Sequence, residues 1–404
     1  MADLRSELER ARDAISPPPG ALGRLVDRRR RRRRGQRFGA AAVALVLAGT
    51  GIGLAARAFL APNAEEERPT EAPEMREPGP VAPRVTARVT VGPSPLGLAA
   101  GEGAVWAVTQ PGKGPSELVR VDPGTNAVVA RAPYEGHPLW FAAGAGAVWA
   151  VRTTDGPDEL LRFDPTSLKV TARVPVGEFA GPLVAGPEGV WVVVRDRAKG
   201  PSSLARIDPP TGEVLSTIPL GEIDGVIGVE LAGGSVWVRG WEGRDRARGC
   251  ARVIRVDPGT DSLVQEPVIE GPVQPGPGGL RLAAGQGTLW VNCRERRAET
   301  FAQEQLFAVG IDARTGTAGP ALPLPAGVFW PIGASPHGVW FAGFEADARP
   351  LLALLDPDTG AVRASIDPGP VGVESTVYDP STETVWVPES RGAAGALLRI
   401  DLRQ

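Results

Sequence analysis

The amino-acid sequence predicts an all-β fold, a seven-bladed β-propeller, preceded by a single transmembrane helix. Three observations predict the propeller: an apolar strand with a central Trp recurs seven times, a strand running into an Asp-led turn accompanies each recurrence, and one unpaired strand precedes the first unit. Repeats of roughly 40–50 residues with several short strands are typical of propeller blades. We assign residues 84–404 to this domain.

The Trp strand is the most regular feature of the chain. The seven Trp lie 43, 42, 46, 53, 50 and 46 residues apart, and each follows a small, turn-forming segment. We expect them to be structural, each packing one blade against the next and burying a large aromatic surface. They occur in the strings GEGAVWAV (Trp106), GAGAVWAV (Trp149), GPEGVWVV (Trp191), AGGSVWVR (Trp237), GQGTLWVN (Trp290), SPHGVWFA (Trp340) and STETVWVP (Trp386).

A second strand in each unit runs into an Asp-led turn, as in LVRVDPGTN, LLRFDPTS and LARIDPPTG. Asp before Pro or Gly favours a type I turn, because the carboxylate accepts backbone N–H groups and Pro presets φ. Between this turn and the next Trp strand lie two more strand-like runs, VVARAP and PLWFAAG in the first repeat. A complete unit therefore has four strands, the number in a propeller blade.

The seventh unit lacks its fourth strand, because the chain ends at Gln404 after the third. The unpaired string VTARVTVG at residues 85–92 nearly repeats VTARVPVG at residues 170–177, the fourth strand of the second unit. We therefore expect the amino-terminal strand to complete the last blade. This pairing closes the ring and removes an exposed sheet edge.

The repeat resembles that of bacterial seven-bladed propellers of the YVTN type, across about residues 84–404. The strings GEGAVWAV, RVDPGTNAVVA and RIDPPTGEVLSTIPLG carry the resemblance. Trp stands where that family often has Tyr, and the name-giving tetrapeptide is absent. The resemblance implies the fold and leaves the function open, since propellers host unrelated activities.

Residues 38–60 are predicted to form a transmembrane helix that anchors the protein in the bacterial cell membrane. Phe38–Ala56 is nineteen residues without a charge, and a helix of that length spans roughly 28 Å, close to the hydrocarbon thickness of a bilayer. The seven arginines Arg28–Arg34 precede it and are expected in the cytoplasm by the positive-inside rule. The alternatives are a signal peptide cleaved near Ala56-Arg57-Ala58 and a soluble protein. Anchoring and cleavage both place residues 62–404 outside the cytoplasm.

Two further segments flank the span. Residues 1–37 hold twelve Arg against five Asp and Glu, a balance of +7, so the rest of this chain of net charge −3 carries −10. This cytoplasmic segment contains a short predicted helix capped by Asp3, which either docks a cytoplasmic partner or merely precedes the membrane. Residues 61–83, rich in Glu and Pro, are predicted to be an extended linker.

Unusual side chains concentrate on one predicted face. Loops between second and third strands and the connections between blades emerge together on what we call the loop face; the other two connections emerge on the opposite turn face. We expect an aromatic and arginine-rich patch on the loop face that binds an anionic ligand, a glycan or a peptide. Alternatively these residues form solvated loops and line the hub. The candidate residues are Trp140, Phe179, Trp241, Arg244, Arg246, Arg248, Arg294, Arg296, Arg297 and Trp330.

The two cysteines, Cys250 and Cys293, lie in the two longest predicted loops, on neighbouring blades. Outside the cytoplasm such a pair is expected to form a disulfide. A metal pair is disfavoured, because two thiolates without a nearby His or third Cys leave zinc under-coordinated. We expect no metal site and no cofactor.

The predicted function is binding: a sensor or interaction module for an unknown extracytoplasmic ligand or protein, with no nucleic-acid partner. The alternative is a propeller enzyme of lyase or lactonase-like type, with its site on the loop face. The chain has only two histidines, and His137 and His337 are expected on opposite faces. His137 with Glu178 or Glu222 is the best acid–base set, and the sequence has no nucleophile elbow or phosphate loop.

Overall fold

The computed structural model describes residues 82–403, apart from residues 111–114, 136–139, 196–200, 222, 243–250, 265–272, 276–281, 296–304, 346–348, 370, 373–374 and 390–393. Within these described ranges no helix is both long and apolar enough to cross a bilayer. The predicted transmembrane helix at 38–60, the segment 1–37 and nearly all of the linker at 61–83 lie outside them.

Seven antiparallel sheets follow one another along the chain, which confirms the predicted seven-bladed propeller. Strands are numbered in chain order, and within each blade the first strand lies innermost. Blades one to three are formed by β2 (Pro95–Gly101), β3 (Ala104–Thr109), β4 (Ser116–Asp122) and β5 (Ala127–Tyr134); β6 (Phe141–Gly144), β7 (Ala147–Arg152), β8 (Asp158–Phe163) and β9 (Val170–Gly177); β10 (Phe179–Gly186), β11 (Gly189–Arg195), β12 (Ser203–Ile207) and β13 (Val214–Pro219).

Blades four to six continue the pattern, and in blade five two short strands, β18 and β19, share the innermost position. These blades are formed by β14 (Ile223–Ala232), β15 (Ser235–Glu242), β16 (Ala251–Asp257) and β17 (Ser262–Val264); β18 (Val273–Pro275), β19 (Ala283–Gly285), β20 (Thr288–Glu295), β21 (Leu306–Asp312) and β22 (Ala318–Pro323); β23 (Val328–Ser335), β24 (Gly338–Phe344), β25 (Pro350–Leu355) and β26 (Val362–Ile366).

Blade seven joins the two ends of the propeller. It consists of β27 (Val377–Asp379), β28 (Thr384–Glu389), β29 (Ala396–Arg403) and, outermost, β1 (Ala82–Thr90). β1 pairs antiparallel with β29 from Ala82–Arg403 to Thr90–Ala396. Beyond β1, the N–H groups of Val91 and Gly92 both donate to Gly395 O. The predicted ring closure by the amino-terminal strand is therefore confirmed.

The repeated Trp residues pack the blades together, as predicted. All seven lie on second strands; Trp290 is 5% exposed and the other six are fully buried. Trp149 of blade two shares an apolar cluster with Val190 and Val192 of blade three. Trp386 of blade seven packs in the same way with Val105 of blade one, across the closure. At about 25 cal/mol per Å², burying such a ring contributes roughly 4–6 kcal/mol before entropy costs.

The Asp-led turns have the predicted chemistry. The Asp122 carboxylate accepts the N–H groups of Gly124 and Thr125, and Asp312 and Asp356 accept equivalent bonds in blades five and six. In the same turns the chain reverses through a backbone bond from the residue four positions later. Each carboxylate therefore takes the place of a backbone acceptor and fixes the outer strand pair on the turn face.

Glycine at the end of the inner strands allows neighbouring blades to touch through their backbones. A Cβ on Gly144 would lie 2.1 Å from Ala185 O of blade three, and one on Gly285 would lie 2.5 Å from Ala334 O of blade six. Both distances are far below a normal carbon–oxygen contact, so a larger residue cannot be placed without moving the blades. Both contacts lie beside the central channel, because Ala185, Gly285 and Ala334 belong to its wall.

Candidate functional site

A cavity of about 550 Å³ occupies the central channel of the propeller. The inner strand of every blade contributes to its wall, so the site exists only when the ring is closed. Much of the wall is made of small apolar side chains, including Ala99, Ala143, Ala185 and Ala284. A cavity of this size is within the usual range for a small-molecule site.

One end of this channel cavity is polar. Glu230, Gln286 and Glu383 line it, and Gln286 and Glu383 belong to turns between first and second strands, so this end faces the turn face. His337 adjoins the same rim, with its Nε2 3.9 Å from Glu383 Oε2. The carboxylates favour a ligand that donates hydrogen bonds or carries positive charge.

Tyr378 supplies a second kind of polar group to the channel. It lies in β27 and lines the cavity. Burial, reinforced by the charges of Glu383 and Asp379, raises the pKa of Tyr378 to about 12. The phenol is therefore protonated at neutral pH and is able to donate a hydrogen bond to a ligand.

Trp140 lies at the other end of the channel. It precedes β6, is half-buried and lines the cavity, and its carbonyl accepts the N–H of Val151 at 2.9 Å. Its indole packs partly against the apolar cluster between blades two and three. Of the three aromatic candidates whose side chains are described, Trp140 alone is part of the channel wall.

Phe179 and Trp330 lie on blades three and six, which are not neighbours. Phe179 begins β10 and is 40% exposed, and the Arg195 guanidinium lies 4.8 Å from its ring centroid. Trp330 lies in β23, edge-on to Phe344 with ring centroids 5.9 Å apart, and beside Phe329 at 5.5 Å. The structure therefore does not join these two rings in one patch, and their role in ligand binding stays a prediction.

The predicted arginine cluster stays a prediction as well. Its residues on blades four and five, with His137, lie largely outside the described residues. For Trp241 and Arg294 the backbone alone is described: Trp241 pairs with Gly225 and Ala251 in blade four, and Arg294 pairs with Leu306 in blade five. The candidates outside the described residues are His137, Arg244, Arg246, Arg248, Arg296 and Arg297.

The expected disulfide between Cys250 and Cys293 is not found. Cys293 is a free, fully buried thiol, and Cys250 lies outside the described residues. The second strand of blade five continues to Glu295, so Cys293 belongs to a core strand and contacts an apolar cluster with Trp237 and Val291. Burial raises the pKa of the Cys293 thiol to about 12, which keeps it protonated.

A buried arginine lies between blades four and five, and the sequence analysis does not predict it. Arg239 is fully buried on β15, and its guanidinium donates to the side-chain and backbone oxygens of Asn292 on β20. Desolvation lowers the pKa of Arg239 to about 10, so it remains charged at neutral pH. Aligning the repeats would have revealed it, because Arg239 and Asn292 stand two residues after Trp, where blades one to three have Val.

The described residues contain no group of three or more His, Cys, Asp or Glu arranged to hold a metal ion.

The polar end of the channel is a second feature that the sequence does not predict. Glu230, Tyr378 and Glu383 stand at unrelated positions of their repeats. Only the ring geometry brings them to one rim.

Comparison with known proteins supports the fold. No family model matches the chain, and no curated protein matches it. The chain is similar to a structure of Kuenenia stuttgartiensis hydrazine synthase, with a TM-score of 0.56 and 13% identity over 77% of this chain and 96% of that one. It is also similar to the β-propeller domain of the Trilobed protease from Pyrococcus furiosus, with a TM-score of 0.54 and 12% identity over 78% and 96%.

These likenesses show the propeller fold alone, since identity is so low. The Pyrococcus domain is described as having an open velcro topology. In the present chain the ends are joined by the β1–β29 pair. The protein is therefore a seven-bladed propeller with a strand-closed ring.

Proposed function

We propose that this protein is a membrane-tethered, extracytoplasmic propeller that acts as a ligand- or protein-binding module on the outside of a bacterial cell. The channel cavity supports the binding role: an apolar wall with a polar end is the usual composition of a recognition site. The wall buries the apolar part of a ligand, and the polar groups orient it.

The chemistry of the rim narrows the class of ligand. Glu230 and Glu383 present acceptors, and the protonated Tyr378 presents a donor. A polar ligand with an amine or several hydroxyl groups matches this set, whereas a dianion does not. A short sugar chain or an amine-bearing peptide end has this chemistry.

The binding role is tested with the full-length chain in detergent micelles. An array of oligosaccharides and short peptides identifies a ligand, and calorimetric titration measures its Kd. Ala284→Trp places a large side chain in the channel cavity and is expected to weaken binding at least tenfold. The matched control Ala127→Trp, at an exposed position of the outer strand of blade one, is expected to leave binding unchanged. Equal Kd values for both variants would reject the channel as the site.

His137→Ala separates binding from the enzyme alternative. A binding module keeps its affinity, and no array ligand is converted by either protein. Conversion of a ligand by the wild type that is lost in His137→Ala would instead establish a lyase or lactonase-like enzyme.

The tether is tested separately. The uncharged run of residues 38–60 and the arginines before it support a single span with the amino terminus inside. A carboxyl-terminal tag on the full chain is expected to stay in the membrane after carbonate washing and to be degraded by protease added to spheroplasts. The double variant Leu45→Arg/Leu47→Arg is expected to lose membrane association, and Ala72→Arg in the linker to keep it. A tag that resists external protease contradicts the orientation.

A further inference from the structure

Five of the seven blades contain the same Trp–Arg stack. In each, an Arg on the third strand pairs across the sheet with the Trp of the second strand, and its guanidinium lies over the indole. This distance is normal for a cation–π contact. The pairs, with Cζ to ring-centroid distances, are Arg120–Trp106 (5.8 Å), Arg162–Trp149 (5.8 Å), Arg206–Trp191 (5.3 Å), Arg255–Trp237 (5.6 Å) and Arg399–Trp386 (5.9 Å).

Two of these arginines also donate hydrogen bonds to the Asp-led turn of the next blade. Arg206 of blade three donates to Pro258 O at 2.6 Å and to Asp261 Oδ1 at 3.0 Å, both in the Asp-led turn of blade four. Arg399 of blade seven donates to Pro123 O and to a side-chain oxygen in the same turn of blade one. A guanidinium held here thus meets an indole face on one blade and a proline carbonyl on the next.

Blade five has the indole without the arginine. Gly310 stands opposite Trp290, where the other blades have Arg. A cavity of about 530 Å³ lies at this point, lined by Trp290, Gly310 and Asp312 of blade five and by Pro357 and Asp358 of blade six. We call it the blade-five cleft.

Blade six also lacks the arginine, but its position is filled. Leu354 stands opposite Trp340 and packs with it in one apolar cluster. In addition, Arg363 on the outer strand donates to Asp356 Oδ2 and to the carbonyl of His337. Among the seven Trp strands that the structure describes, the strand of blade five is therefore the one whose Trp has no side chain opposite it on the third strand.

The cleft retains the acceptor side of the stack. Pro357 is the residue after the turn Asp, the same place that Pro258 and Pro123 occupy in the two complete sites. Asp358 adds an exposed carboxylate. Hydrogen bonds, first from the Thr315 amide, lower the pKa of Asp312, so this lining group is ionised at neutral pH.

We propose that the blade-five cleft binds a guanidinium group donated by another molecule, stacked on Trp290 and held by the carboxylates and proline carbonyl around it. The preferred donor is an arginine side chain of a peptide or protein. A lysine ammonium binds more weakly, because it lacks the planar fork that stacks and donates in several directions. This site lies on the turn face between blades five and six, apart from the channel.

The first test is calorimetric titration of the full-length chain with N-acetyl-arginine methylamide. One saturable site is expected, with at least tenfold weaker binding of the lysine counterpart. Asp358→Lys places a cation at the exposed rim and is expected to weaken binding at least tenfold. Glu213→Lys, an exposed carboxylate in the turn region of blade three, is the matched control and leaves binding unchanged.

Two variants test whether the missing arginine creates the site. Gly310→Arg supplies the missing side chain and is expected to abolish binding; its Cβ would meet Thr288 Cγ2 at 3.1 Å, so if the variant does not fold, Asp358→Lys decides alone. Arg206→Gly opens the equivalent position in blade three and is expected to raise the stoichiometry from one to two. No saturable binding, equal binding of the lysine probe, or an unchanged Kd in Asp358→Lys would overturn the proposal.

The source of the guanidinium is resolved by a third probe. Tighter binding of the peptide Gly-Gly-Arg-Gly-Gly than of the amide supports a peptide or protein donor. Equal binding supports a free guanidinium compound at the same site. Failure of this site would leave the channel experiment unaffected, since Ala284 does not line the blade-five cleft.

Discussion

The contact between Arg239 and Asn292 gives the sharpest test of how the blades are held together. Asn292→Ala removes the side-chain acceptor of a guanidinium that is fully buried between blades four and five. The lowering of the pKa of Arg239 from 12.5 to about 10, mainly by desolvation, means that its surroundings disfavour the charged form by about 3 kcal/mol relative to water. That cost is tolerated because the guanidinium is hydrogen-bonded where it lies.

Loss of the Asn292 oxygen is expected to lower the free energy of unfolding by about 2–3 kcal/mol, since the charge stays buried with one acceptor fewer. Arg239→Met removes the charge and keeps most of the volume. We therefore expect it to cost less than Asn292→Ala, because it removes the desolvation cost of the charge and leaves only a neutral amide with one donor fewer, and to reduce the effect of Asn292→Ala in the double variant.

Urea unfolding followed by Trp fluorescence and by circular dichroism measures the cycle, with coincident curves as the condition for using one free energy. Thr171→Ala is the control, because it removes the exposed acceptor of a hydrogen bond from Arg162. It is expected to cost less than about 0.5 kcal/mol. If Asn292→Ala costs no more than Thr171→Ala, or Arg239→Met costs as much as Asn292→Ala, the buried contact does not have the energetic role argued here.

Three further predictions follow from the fold. Val91→Ala removes two methyl groups from a fully buried position at the ring closure, directly after β1, and is expected to cost about 2 kcal/mol in urea unfolding. The control Val85→Ala, at an exposed position within β1, should cost little, and equal effects would contradict the role of the closure. Gly144→Ala forces a Cβ against Ala185 O and should lower Tm by several degrees, whereas Gly156→Ala, whose nearest neighbour is 3.8 Å away, should not. Burial opposes ionisation of Asp356, but hydrogen bonds from Thr359 and Arg363 outweigh it and lower its pKa to about 2. The ionised carboxylate therefore stabilises the fold above about pH 4, and this stabilisation is lost as the pH falls towards 2. In Asp356→Asn, the free energy of unfolding should fall less between these pH values than in the wild type.

The fold was predictable because each determinant is local and repeated. The Trp strands and the strands that run into an Asp recur in every repeat, so misassigning one repeat would not hide the pattern. The ring closure was predictable for a similar reason: the string at residues 85–92 nearly copies a fourth strand from inside the repeat. These are hydrogen-bonding and packing preferences that act over a few residues.

The site was less predictable because it depends on where strands end and on which repeats deviate. The sequence predicts a loop at Cys293, because the polar residues after it conceal a strand that continues to Glu295. The channel wall is built from small apolar residues that resemble any core sequence. Arg239 and Gly310 are visible only when the repeats are aligned position by position, as a gained and a lost arginine.

The glycines that end the inner strands limit how the channel of this propeller is able to change through mutation. Because Gly144 and Gly285 let the main chain of one blade rest on the next, the spacing of the blades at these two points is set by peptide groups and not by side chains. Substitutions of the side chains that line the channel are therefore expected to change ligand specificity without changing the channel diameter. A wider or narrower bore would require a different number of blades.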